Sequence, residues 1–201
     1  MKKITLASCL LIAFALLISA RWGTKAVDAP PDDTLSANTT LAAALSLEDM
    51  ISQSDVIAIG NCVNAQSAWV DGSLVTMATV SVSESLKGPG SETLTVVVPG
   101  GIDANRKIPV SMSYPGAPTL RPGENVFLFL TADTEFGNGY TVAGFSQGKF
   151  SIVNDEDGEP MVSRDLSEMS LRGNNGVRRG QSDVTPLSSF KEQVKGYLKN
   201  Q

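Results

Sequence analysis

Residues 69–83 read Trp69-Val70-Asp71-Gly72-Ser73-Leu74-Val75-Thr76-Met77-Ala78-Thr79-Val80-Ser81-Val82-Ser83. Asp71-Gly72 is a hairpin signal, because both residues tolerate the positive φ of a tight two-residue turn. Beyond the turn the side chains alternate. Leu74, Thr76, Ala78, Val80 and Val82 share one face; Val75, Met77, Thr79, Ser81 and Ser83 share the other. Successive strand residues point to opposite faces, so this pattern predicts a strand with one buried face. Upstream, Val56-Ile57-Ala58-Ile59-Gly60 continues through Cys62 and Val63 as its partner strand. Gly60 marks a bulge or a sharp coil in that strand.

The same punctuation continues downstream. Leu86-Lys87-Gly88-Pro89-Gly90 predicts a turn, Thr93 to Val98 a third strand, and Pro99-Gly100-Gly101 its end. Residues 102–122 are rich in Pro, Gly and Ser and read as a long connection. Asn125 to Leu130 is the most apolar strand. Gly137-Asn138-Gly139 turns the chain into Tyr140 to Phe145, and Gly148 leads into Lys149 to Val153. Asp155 to Pro160 turns it again before Met161-Val162-Ser163. Short strands with turn signals and no long helix among them indicate a β-barrel or a sandwich. The long strand and Gly60 favour a small barrel, because they suit a sheet that coils on itself.

The flanks carry different patterns. Ser46 is a good helix N-cap answered by Asp49, with Leu47, Met50 and Ile51 on one face of a short helix. Residues 21–45 read as a flexible linker and 46–163 as the β-barrel domain. Residues 164–184, with Arg172-Gly173-Asn174-Asn175-Gly176-Val177-Arg178-Arg179-Gly180, read as a flexible segment. Thr185 with Pro186 then opens a C-terminal helix, 185–201, whose Leu187, Phe190, Val194, Tyr197 and Leu198 share a face. That face predicts docking on its own domain; a partner-binding helix is the alternative.

Residues 1–20 read as a bacterial-type signal peptide. Lys2 and Lys3 precede the apolar run Ile4 to Ile18, and Ile18-Ser19-Ala20 supplies a small residue for cleavage before Arg21. The expected location is periplasmic or secreted, with an uncleaved N-terminal anchor as the alternative. Leu6-Ala7-Ser8-Cys9 has the form of a lipoprotein box, but eleven largely apolar residues follow Cys9 where the mature chain should begin. Loss of Lys2 and Lys3 lowers the basic count from 16 to 14 against 21 acidic residues, a formal net charge of −7. So acidic a chain excludes nucleic acid as the expected partner, since phosphate binding needs clustered cations. Cys62 is then the only cysteine, so no intramolecular disulfide can form. It reads as a buried small side chain; an intermolecular disulfide or a reactive thiol are the alternatives. The chain has no histidine. Catalytic triads, Cys-His dyads and His-ligated metals drop out, leaving carboxylate pairs, Ser-Lys arrangements, oxygen-ligated calcium and plain binding.

Several segments together carry a family resemblance. They are Ser54-Asp55-Val56-Ile57-Ala58-Ile59-Gly60, Leu86-Lys87-Gly88, Pro99-Gly100-Gly101, Gly123-Glu124-Asn125-Val126-Phe127-Leu128-Phe129-Leu130 and Gln147-Gly148-Lys149-Phe150. Their order resembles a family of exported bacterial proteins. It is also distantly similar to the netrin-like OB barrel of tissue inhibitors of metalloproteinases. The resemblance covers roughly residues 46–163 and implies a small five-stranded OB-like barrel. It does not transfer the inhibitor mechanism, which uses an N-terminal cysteine held by disulfides. Fold likeness is a thin warrant for function.

Candidate chemistry is sparse. Gly144-Phe145-Ser146-Gln147-Gly148 matches a nucleophile-elbow pattern, but strands flank it and no histidine exists. Ser146 therefore reads as part of a turn. Lys87 and Lys149 are the possible bases for a Ser-Lys pair and read as solvated turn residues. Asn154-Asp155-Glu156-Asp157-Gly158-Glu159 is calcium-like in composition, through Asp155 and Asp157, yet out of EF-hand register, so it reads as an acidic hairpin tip. Trp69, Tyr114, Phe136, Tyr140 and Phe145 are the aromatic candidates for a ligand face. Asp103, Glu124, Asp133 and Glu135 are the loop carboxylates available to a histidine-independent enzyme. No residue is assigned a catalytic, cofactor or metal role. The expectation is an exported non-enzymatic module that binds a protein in the envelope or outside the cell. The alternatives are a carboxylate enzyme and an anchored structural envelope protein.

Overall fold

The structure is a computed structural model describing residues 39–133 and 139–200. The expected signal peptide, residues 21–38 of the linker, Glu135 and Phe136 lie outside the described residues. The described chain is mainly β, with two helices. The first, α1 (Leu47–Gln53), carries the expected capping box: the Ser46 side chain accepts from the Asp49 N–H, and the Asp49 carboxylate accepts from the Ser46 N–H. The Ser54 hydroxyl donates to the Met50 carbonyl at 2.6 Å and closes the helix.

Strands β2 (Val56–Val70) and β3 (Ser73–Lys87) form one long antiparallel hairpin. Asp71 and Gly72, at φ 46° and 82°, make its turn. Register breaks after Ile57, Ile59 and Cys62 coil β2. At Gly60 a Cβ would lie 2.3 Å from the Ser81 carbonyl oxygen, so the strands approach there as only glycine permits. Strand β4 (Thr93–Pro99) is antiparallel to β3, and β7 (Asn125–Asp133) is antiparallel to β2. Strand β8 (Gly139–Val142) pairs antiparallel with the end of β7 and meets β4 in parallel at Val96 and Tyr140. The pairings β2–β3–β4–β8–β7–β2 therefore run in a ring.

The sheet holds eight strands rather than five. Strand β7 forks. Its Val126 to Leu128 pair with β9 (Lys149–Asn154), while its Leu130 to Asp133 pair with β8. From β9 the sheet continues through β10 (Pro160–Asp165) to β13 (Ser182–Pro186). One strand's alternation cannot reveal such a fork, because it lies in the pairing and not in the period. Two further strands, β5 (Gly101–Asp103) and β6 (Val110–Met112), pair inside the connection 102–122.

Two apolar clusters lie on opposite faces of β2 and β7. Ala58, Cys62, Ala78, Val80, Val96, Leu128 and Val142 represent the one to which all five ring strands contribute. Ile57, Ile59, Phe127 and Phe129 belong to the other, covered by α1, Phe150, Val162 and the C-terminal helix α2 (Leu187–Lys199). Strands buried on both sides read as continuous apolar runs, which explains Val126-Phe127-Leu128-Phe129-Leu130.

Two sequence expectations need correction. The segment 164–184 contains β11 (Met169–Gly173) and β12 (Gly176–Arg179), joined as a hairpin, and then β13. Leu166, Met169 and Leu171 form a third buried cluster, and β1 (Thr40–Ala43), from the supposed linker, pairs in parallel with β11. These strands are too short to show a period by themselves. Thr185 does not cap the last helix either. It lies in β13 opposite Val162, and α2 starts at Leu187 behind Pro186 without a side-chain cap. The β10 ladder fixes that backbone before the helix begins.

Helix α2 buries Phe190 and Val194 against its own domain, leaving Tyr197 exposed. Glu84 of β3 anchors it by accepting from Lys191 and, at 3.1 Å, Lys195. The Lys191 hydrogen bond, chiefly, holds the Glu84 carboxyl below its ordinary value of 4.5. The unfolded state then takes up protons first on acidification, so this anchor stabilises the fold above about pH 4.5 and is lost as pH falls through the depressed folded value. Urea midpoints of the native chain should fall below that pH, and Glu84→Gln should flatten the fall. Equal slopes in the two proteins would remove the anchor.

Candidate interaction surface

The 102–122 connection contains the β5–β6 hairpin, clasped to the β2–β3 hairpin. The Ser67 hydroxyl accepts from the Ile102 N–H at 2.9 Å, and the Thr76 hydroxyl donates to the Gly100 carbonyl at 2.8 Å. Trp69, beside the Asp71-Gly72 turn, donates its indole N–H to Asp103 at 2.7 Å. Arg106 donates to the same carboxylate at 2.9 Å and lies over the indole, 4.5 Å from its centroid. The Trp69 N–H, foremost, and the Asn105 N–H and Arg106 hold the Asp103 carboxyl below the usual carboxylate range.

This clasp leaves apolar groups in solvent. Ile108 is 77% exposed and Ile102 64%, while Tyr114 and Trp69 are also exposed. Hydrophobic side chains that could turn inward but stay outside on a hydrogen-bonded hairpin suggest a contact surface. Beside them lies a groove of about 350 Å³ between the connection and the ring strands. Tyr114, Pro118, Leu74, Val75, Val97, Val142 and Phe145 line it, with no Asp, Glu, Lys or Arg lining it among the described residues.

The structure separates the remaining candidates. Tyr114 and Phe145 meet in the groove, Trp69 joins the clasp, and Tyr140 packs against the ring cluster. The Ser146 hydroxyl is buried and donates to the Met169 sulfur at 2.8 Å, in a turn where Phe145 has φ 69°. Its neighbour Gln147 is a latch that no local pattern announced. The fully buried amide accepts from the Leu45 N–H at 2.9 Å and donates to the Ala43 carbonyl at 2.8 Å, tying the end of β1 to the sheet.

Both lysines expected in solvent are engaged. Lys87 donates to the Ile51 carbonyl at 2.8 Å, behind α1. Lys149 opens β9 and forms an ion pair with Glu124, with the two side chains 15% and 20% exposed. The Ser151 hydroxyl and the Arg121 N–H also donate to that carboxylate, at 2.7 and 3.1 Å. Burial alone would raise the Glu124 carboxyl; Lys149 and Ser151 outweigh it and hold it below the ordinary value of 4.5. Asp133 ends β7 opposite Gly139. Asp103 and Glu124 thus have separate sets of partners.

The acidic tip is self-contained: Asp155 accepts from the Asp157 and Glu159 N–H groups at 3.0 and 2.9 Å. Among the described residues, no three Cys, Asp or Glu side chains group to hold a metal ion. Cys62 is fully buried in the ring cluster, and burial pushes its thiol up. No described helix is long and apolar enough to cross a membrane.

Sequence reasoning named Trp69, Tyr114 and Asp103 but missed Ile102, Arg106 and Ile108. The signal was two isoleucines stranded in a connection otherwise rich in turn formers. Searches against protein-family models, curated proteins and solved structures find no match for this chain.

Proposed function

We propose that this chain is a non-enzymatic binding module acting outside the cytoplasm. Its partner is a protein, gripped by the β5–β6 hairpin with Trp69, Arg106 and Tyr114. The observation that carries this reading is the exposure of Ile102 and Ile108 on a hairpin clasped by Trp69 and Asp103. Aromatic and arginine side chains around an apolar centre are the composition of interface hot spots. The groove beside them presents no charged group among the described residues and suits an apolar side chain of the partner.

The ring β2–β3–β4–β8–β7 supports an OB-like barrel beneath this surface, with β9, β10 and β13 as an added wing. Three consecutive antiparallel strands, a parallel contact between β4 and β8, and a return through β7 to β2 follow a Greek-key path. The netrin-like resemblance makes an extracellular protease the first partner class to test. A chelating cysteine plays no part in this reading, since Cys62 is buried.

The test is capture from secreted and envelope fractions with the chain from residue 21 onward. A stoichiometric protein should be retained, and Ile108→Asp should reduce its retention at least roughly tenfold, the loss expected from a central interface residue. Ile108 has little to lose in the fold, so the variant stays folded. Recovery of no partner, or equal retention by the variant, would sink the proposal.

A further inference from the structure

Far along the chain from this surface, the arginines are concentrated. Four of the seven arginines, Arg164, Arg172, Arg178 and Arg179, fall within sixteen residues of a chain whose net charge is −5. Three of them, Arg164, Arg178 and Arg179, line a concavity of about 380 Å³ between β12 and β13, closed by Gly180 to Asp183. That volume lies in the range of small-ligand sites, about 300–1,000 Å³.

The three guanidinium groups are not equivalent. Arg164 is committed to the fold: it forms a two-pronged pair with Asp183 at 3.2 and 2.5 Å and donates to the Gln147 carbonyl at 2.8 Å. Its guanidinium also lies over the Phe150 ring, 4.6 Å from the centroid. Asp183 is the only acid lining the concavity among the described residues, and Arg164 pairs with it. Arg179 is held through its Nε–H, which donates to the Ser167 carbonyl at 2.9 Å, so its position is set. The Arg178 backbone belongs to the β11–β12 ladder opposite Leu171, but its side chain makes no hydrogen bond or ion pair with any described residue. Arg178 and Arg179 therefore border the concavity with no acidic partner among the described residues. Guanidinium groups match the oxygens of phosphate in pairs, and a phosphate monoester above about pH 7 carries close to two negative charges.

We propose that this concavity binds the dianionic phosphate of a monoester, with Arg178 and Arg179 as its ligands. The site is independent of the protein-binding surface. The same chemistry could come from a small phosphate ester or from a lipid headgroup, and two arms separate these sources. In one, inorganic phosphate and glycerol phosphate are titrated calorimetrically into the full chain. In the other, the chain is spun with vesicles of phosphatidylcholine, with and without phosphatidic acid.

Arg178→Gln is the decisive variant, because it keeps the strand backbone and removes a side chain with no partner among the described residues; Lys199→Gln, a remote exposed charge, is the control. Single-site binding that weakens roughly tenfold in Arg178→Gln and persists in Lys199→Gln is the expected result. If soluble phosphates bind, the ligand is a free ester. If only phosphatidic acid vesicles bind, and Arg178→Gln releases them, it is a headgroup. Absence of binding in both arms overturns the proposal. So does binding that Arg178→Gln and Lys199→Gln weaken equally, since that is the behaviour of diffuse surface charge.

Discussion

Phe129→Ala should cost about 3–5 kcal/mol of stability, the usual penalty for emptying a phenylalanine site in a closed core. Phe129 is fully buried on the face of β7 that α2 covers. Its ring stacks on Phe127 with centroids 5.4 Å apart and meets Phe150 and Phe190 at 6.0 and 6.2 Å. These four rings join β7, β9 and α2, so the vacated space cannot collapse without moving an element that other contacts hold. Domains are stable by only about 5–15 kcal/mol, so the variant should sit near the edge of folding. Urea denaturation of the native chain and the variant measures it. A shift below about 1 kcal/mol would mean that the quartet relaxes freely and α2 is loosely docked.

Lys149→Met should cost about 2–3 kcal/mol, more than a surface ion pair is worth. The substitution keeps the aliphatic stem but leaves Glu124 half-buried without its cation, and only the Ser151 hydroxyl and Arg121 N–H remain as donors. The double variant Glu124→Gln/Lys149→Met should recover most of the loss, because a neutral amide does not carry a desolvated charge. The same urea assay reads both. A single-variant loss below about 0.5 kcal/mol would class the pair with exposed ones. The position matters because Glu124 precedes β7 and Lys149 opens β9, so their pair holds the first of the added strands where β7 forks.

The fold was legible wherever its signal is local. The alternation of residues 74–82, the Asp71-Gly72 turn and the capping box at Ser46 each depend on neighbours within a few positions, and each stands in the structure as read. The strands expected between residues 56 and 163 are present, but they join β13 in one sheet of eight strands rather than five. That union rests on Val126 pairing with Ser151 and Val162 with Thr185, partners too far apart in sequence for any window to relate. The segment 164–184 misled for a related reason. Its polar tip, Gly173 to Gly176, resembles a loop, while Met169 and Leu171 acquire meaning only when β1 arrives beside them.

The candidate surface was half legible. Trp69, Tyr114 and Asp103 stood out as residue types, but nothing in the sequence joined Trp69 to Asp103 across 34 positions. Lys149 read as a solvated turn residue and Glu124 as a loop carboxylate, because charge alone does not reveal a partner 25 residues away.

By itself the sequence determined that the chain is mainly β, that a short helix precedes the long hairpin and another closes the chain, and that histidine chemistry is excluded. Those properties follow from composition and from periods of two and of 3.6 residues, which every short window carries. Tertiary structure alone decided that β7 forks, that Gln147 ties down β1, that α2 is consumed by its own core, and that the Arg178 side chain has no partner among the described residues. Each of these depends on which distant groups compete for the same hydrogen bond or the same buried space, and that competition is settled only when the chain has closed on itself.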